Sequence, residues 1–283
     1  MRYGSPPKKR PAEPRLRRKT MDVARRDSGH LMLITPERVF YAGLLGRPRQ
    51  RCSGALHIYV ALTGSLRLLP EGGEPRCGEL LVVPPNKQHT IESDYRTVIV
   101  VTMEPESVPI GTLDRFAAKV TREADAFACR IRAAYEELVQ RPLSGDVTSA
   151  VFDRLCFGEV LPQRTLDPRV VKAIGLISRF SGEPATAESC AAAVGLSTSR
   201  FLHLFKEETD ISFRSFRAWK RARHLLNYAN QDLNLAHLAQ DIGYPDSTHF
   251  SHSIRRFYGL KPRAIFSGSR DLAIYRAGEA ALT

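Results

Sequence analysis

A degenerate repeat in the last third of the chain limits its folding options most. Ala191-Ala-Ala-Val-Gly-Leu-Ser197 returns 48 residues later as Ala239-Gln-Asp-Ile-Gly-Tyr-Pro245. In both copies an Ala precedes a Gly by four residues and an apolar residue follows the Gly. Each copy runs into a second stretch of helical period, Thr198 to Glu208 and Asp246 to Tyr258. Glycine at a fixed offset between two helical patterns permits the tight turn of a helix-turn-helix, and here the unit occurs twice. Such a unit offers its second helix to the major groove of DNA.

The charge distribution agrees with a polyanionic partner. Residues 1–27 hold ten Lys/Arg against three Asp/Glu, residues 28–166 sixteen of each, and residues 167–283 sixteen against eleven. Two basic ends around a neutral middle point to nucleic acid for the ends and another role for the centre. Pro6, Pro7, Pro11 and Pro14 among arginines and lysines mark residues 1–27 as a disordered basic arm. That arm is a nonspecific DNA contact, a solvated tail, or partly a stretch upstream of a start at Met21; the residues leave all three open. Five cysteines without CxxC spacing, and no secretion signal, indicate a reduced cytoplasmic protein. No apolar run reaches the length of a membrane span.

Residues 30–103 alternate β-prone runs (31–34, 39–44, 56–62, 65–69, 80–83 and 95–102) with Gly and Pro turn signals, which predicts a small antiparallel barrel or sandwich. The period then changes. Ala124, Phe127, Ala128, Ile131, Tyr135 and Leu138 form one helical face, and Val147, Val151 and Leu155 suggest a shorter second helix, a pair suited to packing or to homodimer contact. Asp167-Pro168 is a helix start, with an N-cap and Pro at the first position. Ser197 and Asp246 are placed to cap the second helices. Phe201 with Phe205, and Phe250 with Ile254, each at i and i+4, face inward. Ser212 to Tyr228 reads as a connecting helix with an apolar stripe of Phe216, Trp219, Ala222 and Leu226, and with Arg217, Lys220, Arg221 and Arg223 leaving it basic.

From Pro168 through Phe266 the chain resembles the DNA-binding domain of the AraC/XylS family of bacterial transcription regulators. Gly243-Tyr-Pro-Asp-Ser-Thr-His-Phe250 and Arg255-Arg-Phe-Tyr-Gly-Leu-Lys-Pro262 carry the resemblance in the second unit, and Gly195 to Phe201, Leu204-Phe-Lys206 and Ser212-Phe213 in the first. The resemblance implies two helix-turn-helix units joined by a long helix, gripping consecutive major-groove segments of double-stranded DNA. Base contacts are then expected from Ser199, Arg200 and His203 in the first unit and Thr248, His249 and His252 in the second, with Lys206, Arg255 and Arg256 on phosphates. Ile254 stands where the family usually has Phe, His203 and His252 where it often has Arg, and Asp210 where Gly is common. A neutral imidazole cannot make the bidentate arginine contact to guanine, so the histidines change the expected base preference.

The strand-rich part resembles the cupin-like effector domain of the same family through Gly78-Glu-Leu-Leu-Val-Val-Pro-Pro-Asn-Lys-Gln-His89. Metal cupins need more ligands than His57 and His89 supply, and a His-x-His pair is missing, which argues against a metal enzyme; no cofactor is expected, and without a Gly-x-Ser-x-Gly elbow no catalytic constellation supports another enzyme. His57, Tyr59 and His89 are instead expected as polar anchors for a small-molecule effector, or as satisfied structural residues. Cys52 and Cys77 read as small buried residues more readily than as oxidant sensors.

The expected architecture is α+β: a disordered arm (1–27), a cupin-like β-barrel sensor (28–105), a helical linker or dimerisation region (106–160), a two-unit DNA-binding domain (167–268) and a C-terminal tail (269–283). The expected function is effector-controlled, sequence-specific transcription regulation at the nucleoid, with RNA polymerase as a further partner for an activator. The alternatives are an effector-independent architectural DNA-binding protein and a cupin-type metal enzyme with a DNA-binding appendage. Deleting residues 1–20 should weaken binding to all DNA sequences alike and flatten the dependence of log K on log salt, as measured by fluorescence anisotropy across a salt series; an unchanged slope would remove the arm from binding.

Overall fold

The computed structural model describes residues 29–141, 147–180 and 185–276; the basic arm lies outside them. Eight strands come first: β1 (Leu31–Ile34), β2 (Arg38–Leu44), β3 (Leu56–Ala61), β4 (Leu66–Pro70), β5 (Arg76–Gly78), β6 (Leu80–Val83), β7 (His89–Ser93) and β8 (Thr97–Met103). They do not close into the expected barrel. They form two sheets, ordered β6-β3-β8-β2-β1-β9 and β5-β4-β7, where β9 (Ala273–Arg276) comes from the far end of the chain. The small sheet covers only the β3, β6 and β8 end of the large one, where Leu66, Leu68 and Ile91 meet Tyr59, Ala61 and Val98. At the other end β9 pairs in parallel with β1, and Leu272 and Ala229 pack on Met32, Ile34 and Val39. The edge that a barrel would have to close is therefore occupied. Residues 269–283, read from sequence as a tail, supply the strand that occupies it.

Sequence periodicity explains the opposite face. Strand residues alternate sides, and Leu31, Leu33, Phe40, Ala42, Ile58, Val60, Ile99 and Val101 all pack against α1 (Thr112–Arg122), α2 (Ala124–Gln140) and α3 (Ser149–Phe157). Three helices stand where a pair was expected. On α2, Phe127, Ala128, Ile131 and Leu138 are buried as the period predicts, but α3 turns a different face inward: Val151 is exposed while Phe152, Asp153 and Cys156 are buried. The cause is Arg38. Its guanidinium, itself almost fully buried on β2, bonds Asp153 through Nε–Oδ1 at 3.0 Å, and its Nη1 donates to Ser107 Oγ.

The remaining helices are α4 (Pro168–Ser178), α5 (Ala187–Ala193), α6 (Thr198–Thr209), α7 (Phe213–His224), α8 (Leu235–Asp241), α9 (Ser247–Tyr258) and α10 (Pro262–Gly268). The connecting helix is α7 extended by a single 3-10 turn, Leu225–Tyr228. Among the described residues no helix is long and apolar enough to cross a membrane.

Removing Asp153 would strand a buried guanidinium, so Asp153→Ala should cost about 3–5 kcal/mol in urea unfolding. The paired replacement Arg38→Met with Asp153→Leu should recover most of that loss.

Candidate nucleic-acid interface and interdomain cavity

Each helix-turn-helix unit is set by its own local chemistry. Gly195 (φ +68°) and Gly243 (φ +81°) take the left-handed backbone of the turn, where any other residue pays a steric cost. The caps follow. Ser197 accepts the Arg200 N–H, and Asp246 accepts the N–H groups of Thr248 and His249, both at 2.8 Å. Asp210, standing where glycine is common, ends α6 in the left-handed region at φ +57°, a conformation that Asp tolerates better than most residues.

Packing then fixes which faces look outward. Phe201 and Phe205 of α6 meet Phe213 and Phe216 of α7 in edge-on pairs with ring centres 5.2–5.4 Å apart, each worth about 0.5–1.5 kcal/mol beyond burial. Phe250, Ile254 and Phe257 of α9 pack with Leu238, Tyr244 and Trp219. With those residues inward, Ser199, Arg200, His203 and Lys206 lie exposed on α6, and Thr248, His249, His252, Arg255 and Arg256 lie exposed on α9. The sequence reading missed Leu202, which is 38% exposed one position before His203; an outward leucine offers an apolar surface of the kind that meets a thymine methyl.

The basic stripe of α7 points mostly away from solvent. Lys220 Nζ lies 2.8 Å from Glu104 Oε2 and 2.5 Å from Glu106 Oε1, and the Trp219 indole N–H donates to Glu104. Arg223 Nε sits 2.8 Å from Glu104 Oε1, near enough for an ion pair although its N–H is not aimed at that oxygen. Arg223 also donates to the carbonyls of Thr35 and Arg38. Arg217 bonds the Ala185 carbonyl, and Arg221 stacks over Tyr244. Glu104 is fully buried. Burial pushes its carboxyl up, but Lys220 and Arg223 outweigh that and hold it below the usual carboxylate value. Burial likewise opposes the Lys220 charge, and Glu104 and Glu106 overcome it, leaving the ammonium with a raised pKa. This cluster joins the strand-rich part to the helix between the two helix-turn-helix units.

A second junction lies at the end of α9. The Arg49 N–H donates to the Gly259 carbonyl and the Cys52 N–H to the Arg256 carbonyl, at 2.8 and 2.7 Å. Gly259 is in the left-handed region, and a Cβ there would collide with the Arg49 carbonyl oxygen. Beside this junction a cavity of about 250 Å³ opens between the two parts. Met32, Tyr41 and Val100 line it from the sheet, and Leu226, Tyr258 and Ile265 from the helices. Arg51 also lines it, and among the described residues its buried Nε and Nη2 have no hydrogen-bond partner. The guanidinium lies over the Tyr59 ring, 5.0 Å from its centre.

The three expected anchors do come together. The His57 and Tyr59 rings stack at 5.6 Å, and Tyr59 Oη is 3.0 Å from His89 Nε2. Only His57 lines the cavity. Its nitrogens already meet Ser53 and Thr102, and His89 Nδ1 meets the Lys87 carbonyl at 2.9 Å. Nothing in the local sequence singles out Arg51, one of several arginines in Arg47-Pro-Arg-Gln-Arg51.

Residues 190–267 match a family profile described as a helix-turn-helix domain. Among curated proteins no sequence matches the chain. ToxT from Vibrio cholerae O395 shares the fold, an N-terminal β-sheet part followed by a helical region: 10% identity, TM-score 0.50, covering 82% of this chain and 98% of ToxT. The C-terminal domain of AraT, a response regulator from Geobacillus stearothermophilus, is 24% identical over 37% of this chain and 88% of its own, with a TM-score of 0.35. A transcriptional regulator with an AraC-type DNA-binding domain from Chromobacterium violaceum is 21% identical over 36% and 92%, with a TM-score of 0.34.

Burial holds three histidines below the ordinary imidazole value: His57 well below it, and His89 and His224 at about 4, with Arg51 adding to the first two and Arg223 to the third. In the unfolded chain they titrate near 6.5, so below that pH the unfolded state binds more protons. Their contribution is complete above about pH 6.5 and is lost as pH falls toward 4, by up to about 1.4 kcal/mol per unit for each group. Urea midpoints should be flat from pH 8 to 7 and fall between pH 6.5 and 5, above the carboxylate range. A His89→Gln variant should show a shallower fall.

Proposed function

We propose that this AraC-family transcription regulator, whose DNA-binding domain includes the two helix-turn-helix units of residues 190–267, selects its operators through the exposed faces of α6 and α9 and is switched by a small apolar acid bound between its two parts. The observation that carries the reading is the pairing of an outward polar face on each second helix with a cavity walled by both parts of the chain. Ser199, Arg200, His203, Thr248, His249 and His252 meet base edges, while Lys206, Arg255 and Arg256 neutralise phosphates. Leu202 adds an apolar contact in the first unit.

The cavity favours an apolar acid on two grounds. Its wall is largely hydrocarbon, and Arg51, two of whose buried guanidinium nitrogens have no hydrogen-bond partner among the described residues, is one of its lining residues. A guanidinium with buried N–H groups that lack hydrogen bonds is costly, and a carboxylate is its natural complement. The proposed site thus centres on Arg51 and His57, with Tyr59 and His89 behind them as the support that holds Arg51 in place. A ligand touching both the sheet and the end of α9 binds best when the two parts are docked. By linkage it shifts how the second unit is presented to DNA.

Selection of genomic DNA fragments with purified protein tests both halves of this reading. A recurring motif with two half-elements about one helical turn apart is expected, and decanoate should change its enrichment whereas decanol should not. Arg51→Met should abolish the decanoate response and leave the motif intact. Binding without any motif would instead favour an architectural role, and an equal response to decanol would remove Arg51 as the anchor.

A further inference from the structure

Asp246 does two jobs with two oxygens. Oδ1 accepts the backbone N–H groups of Thr248 and His249 and caps α9. Oδ2 lies 2.8 Å from Nδ1 of His249. The His249 side chain is 69% exposed, on the outward face of α9. The backbone N–H of His249 and then its imidazole hold the Asp246 carboxyl below its ordinary value, so at neutral pH this group is ionised and only accepts hydrogen bonds. The shared hydrogen must therefore belong to Nδ1. Once Nδ1 carries a proton, Nε2 of the neutral ring is a bare acceptor, and Nε2 is the nitrogen left to face outward.

We infer that Asp246 is a specificity-positioning residue: by fixing the Nδ1–H tautomer of His249 it makes this side chain a reader of exocyclic amines, the N6 group of adenine or the N4 group of cytosine, at one base pair of the operator. The inference rests on the reading above that α9 enters the major groove. In that groove amines and carbonyls are distinct features of the base edges, so the position of one proton decides which is accepted. The second nitrogen of a histidine is commonly set in this way by the group bonded to the first.

Asparagine separates the two jobs of Asp246. It caps helices as well as aspartate does, so Asp246→Asn keeps the fold. Its amide donates to Nδ1, however, and that moves the imidazole proton to Nε2. Wild type, His249→Ala and Asp246→Asn should be compared by selection from random DNA at pH 8.5, above the ordinary imidazole range, and by nitrogen-15 spectra of the imidazoles. Wild type should favour adenine or cytosine at the contacted position. His249→Ala should flatten the preference at that pair alone. Asp246→Asn should turn it toward guanine or thymine, with about a tenfold change in relative enrichment and an Nε2–H signature for His249. If His249→Ala flattens the pair while Asp246→Asn keeps both the base and the Nδ1–H form, Asp246 is a cap only and the inference fails. If His249→Ala changes no position, the base-contact reading of His249 falls, and the inference with it.

Discussion

One buried carboxylate organises this molecule. Glu104 follows β8 directly and, fully out of solvent, meets Trp219, Lys220 and Arg223 of the helix that joins the two helix-turn-helix units. Desolvating four polar groups is costly, and the pairing roughly repays the cost instead of adding a large surplus. What the cluster supplies is direction. Any sliding of α7 over the sheet would leave Glu104 without its partners while still dry. Full separation would rehydrate every group and costs far less electrostatically. The junction is thus strict about geometry and lenient about opening.

The placement of that cluster matters because α7 belongs to two cores. Phe213 and Phe216, at its start, complete the first unit, and Trp219, Ala222 and Leu225 complete the second. Glu104 therefore grips the helix where one core gives way to the other. The second unit is held again at Gly259 by the Arg49 loop, and β9 follows α10 back onto the edge of the sheet. On the proposed reading, a ligand in the cavity acts on the last two contacts directly and on the first through the shared wall of Leu226 and Tyr258. No long relay is required, since the site and the responding helix are neighbours.

Much of the helical half was legible because its determinants are local. The caps at Ser197 and Asp246, the turn glycines and the i, i+4 apolar pairs all act within a few residues, and each appears where the spacing put it. The strands were legible as segments, but their closure was not. Whether eight strands make a barrel depends on what lies against the last edge, and here that is residues 272–276, far away in sequence. The same distance hid the charge pairs. Lys220 and Arg223 look like DNA-facing cations until Glu104, more than a hundred residues earlier, is seen to take them. Asp153 looks like a solvent-side residue of α3 until Arg38 is placed beneath it. Arg51 carried no signal, because an arginine lacking a partner differs from its neighbours only once the cavity exists.

On the proposed reading, the chemistry of the two outward faces sets how this protein discriminates among sites. Of the side chains assigned to base edges, only Arg200 has the planar fork that reads guanine bidentately. The others are hydroxyls and imidazoles, which make single hydrogen bonds, and Leu202, which makes none. Single contacts each discriminate weakly, so specificity is spread over many positions and depends on each ring being held in one orientation and one protonation form. The cost of a wrongly placed proton then exceeds what a flexible arginine would suffer. That makes the partner of His249, and not the imidazole alone, part of the recognition surface. On that reading the two sources of binding energy separate: Lys206, Arg255 and Arg256 supply affinity that any duplex satisfies, while discrimination rests on Arg200 and on the hydroxyl, imidazole and leucine side chains at the base edges.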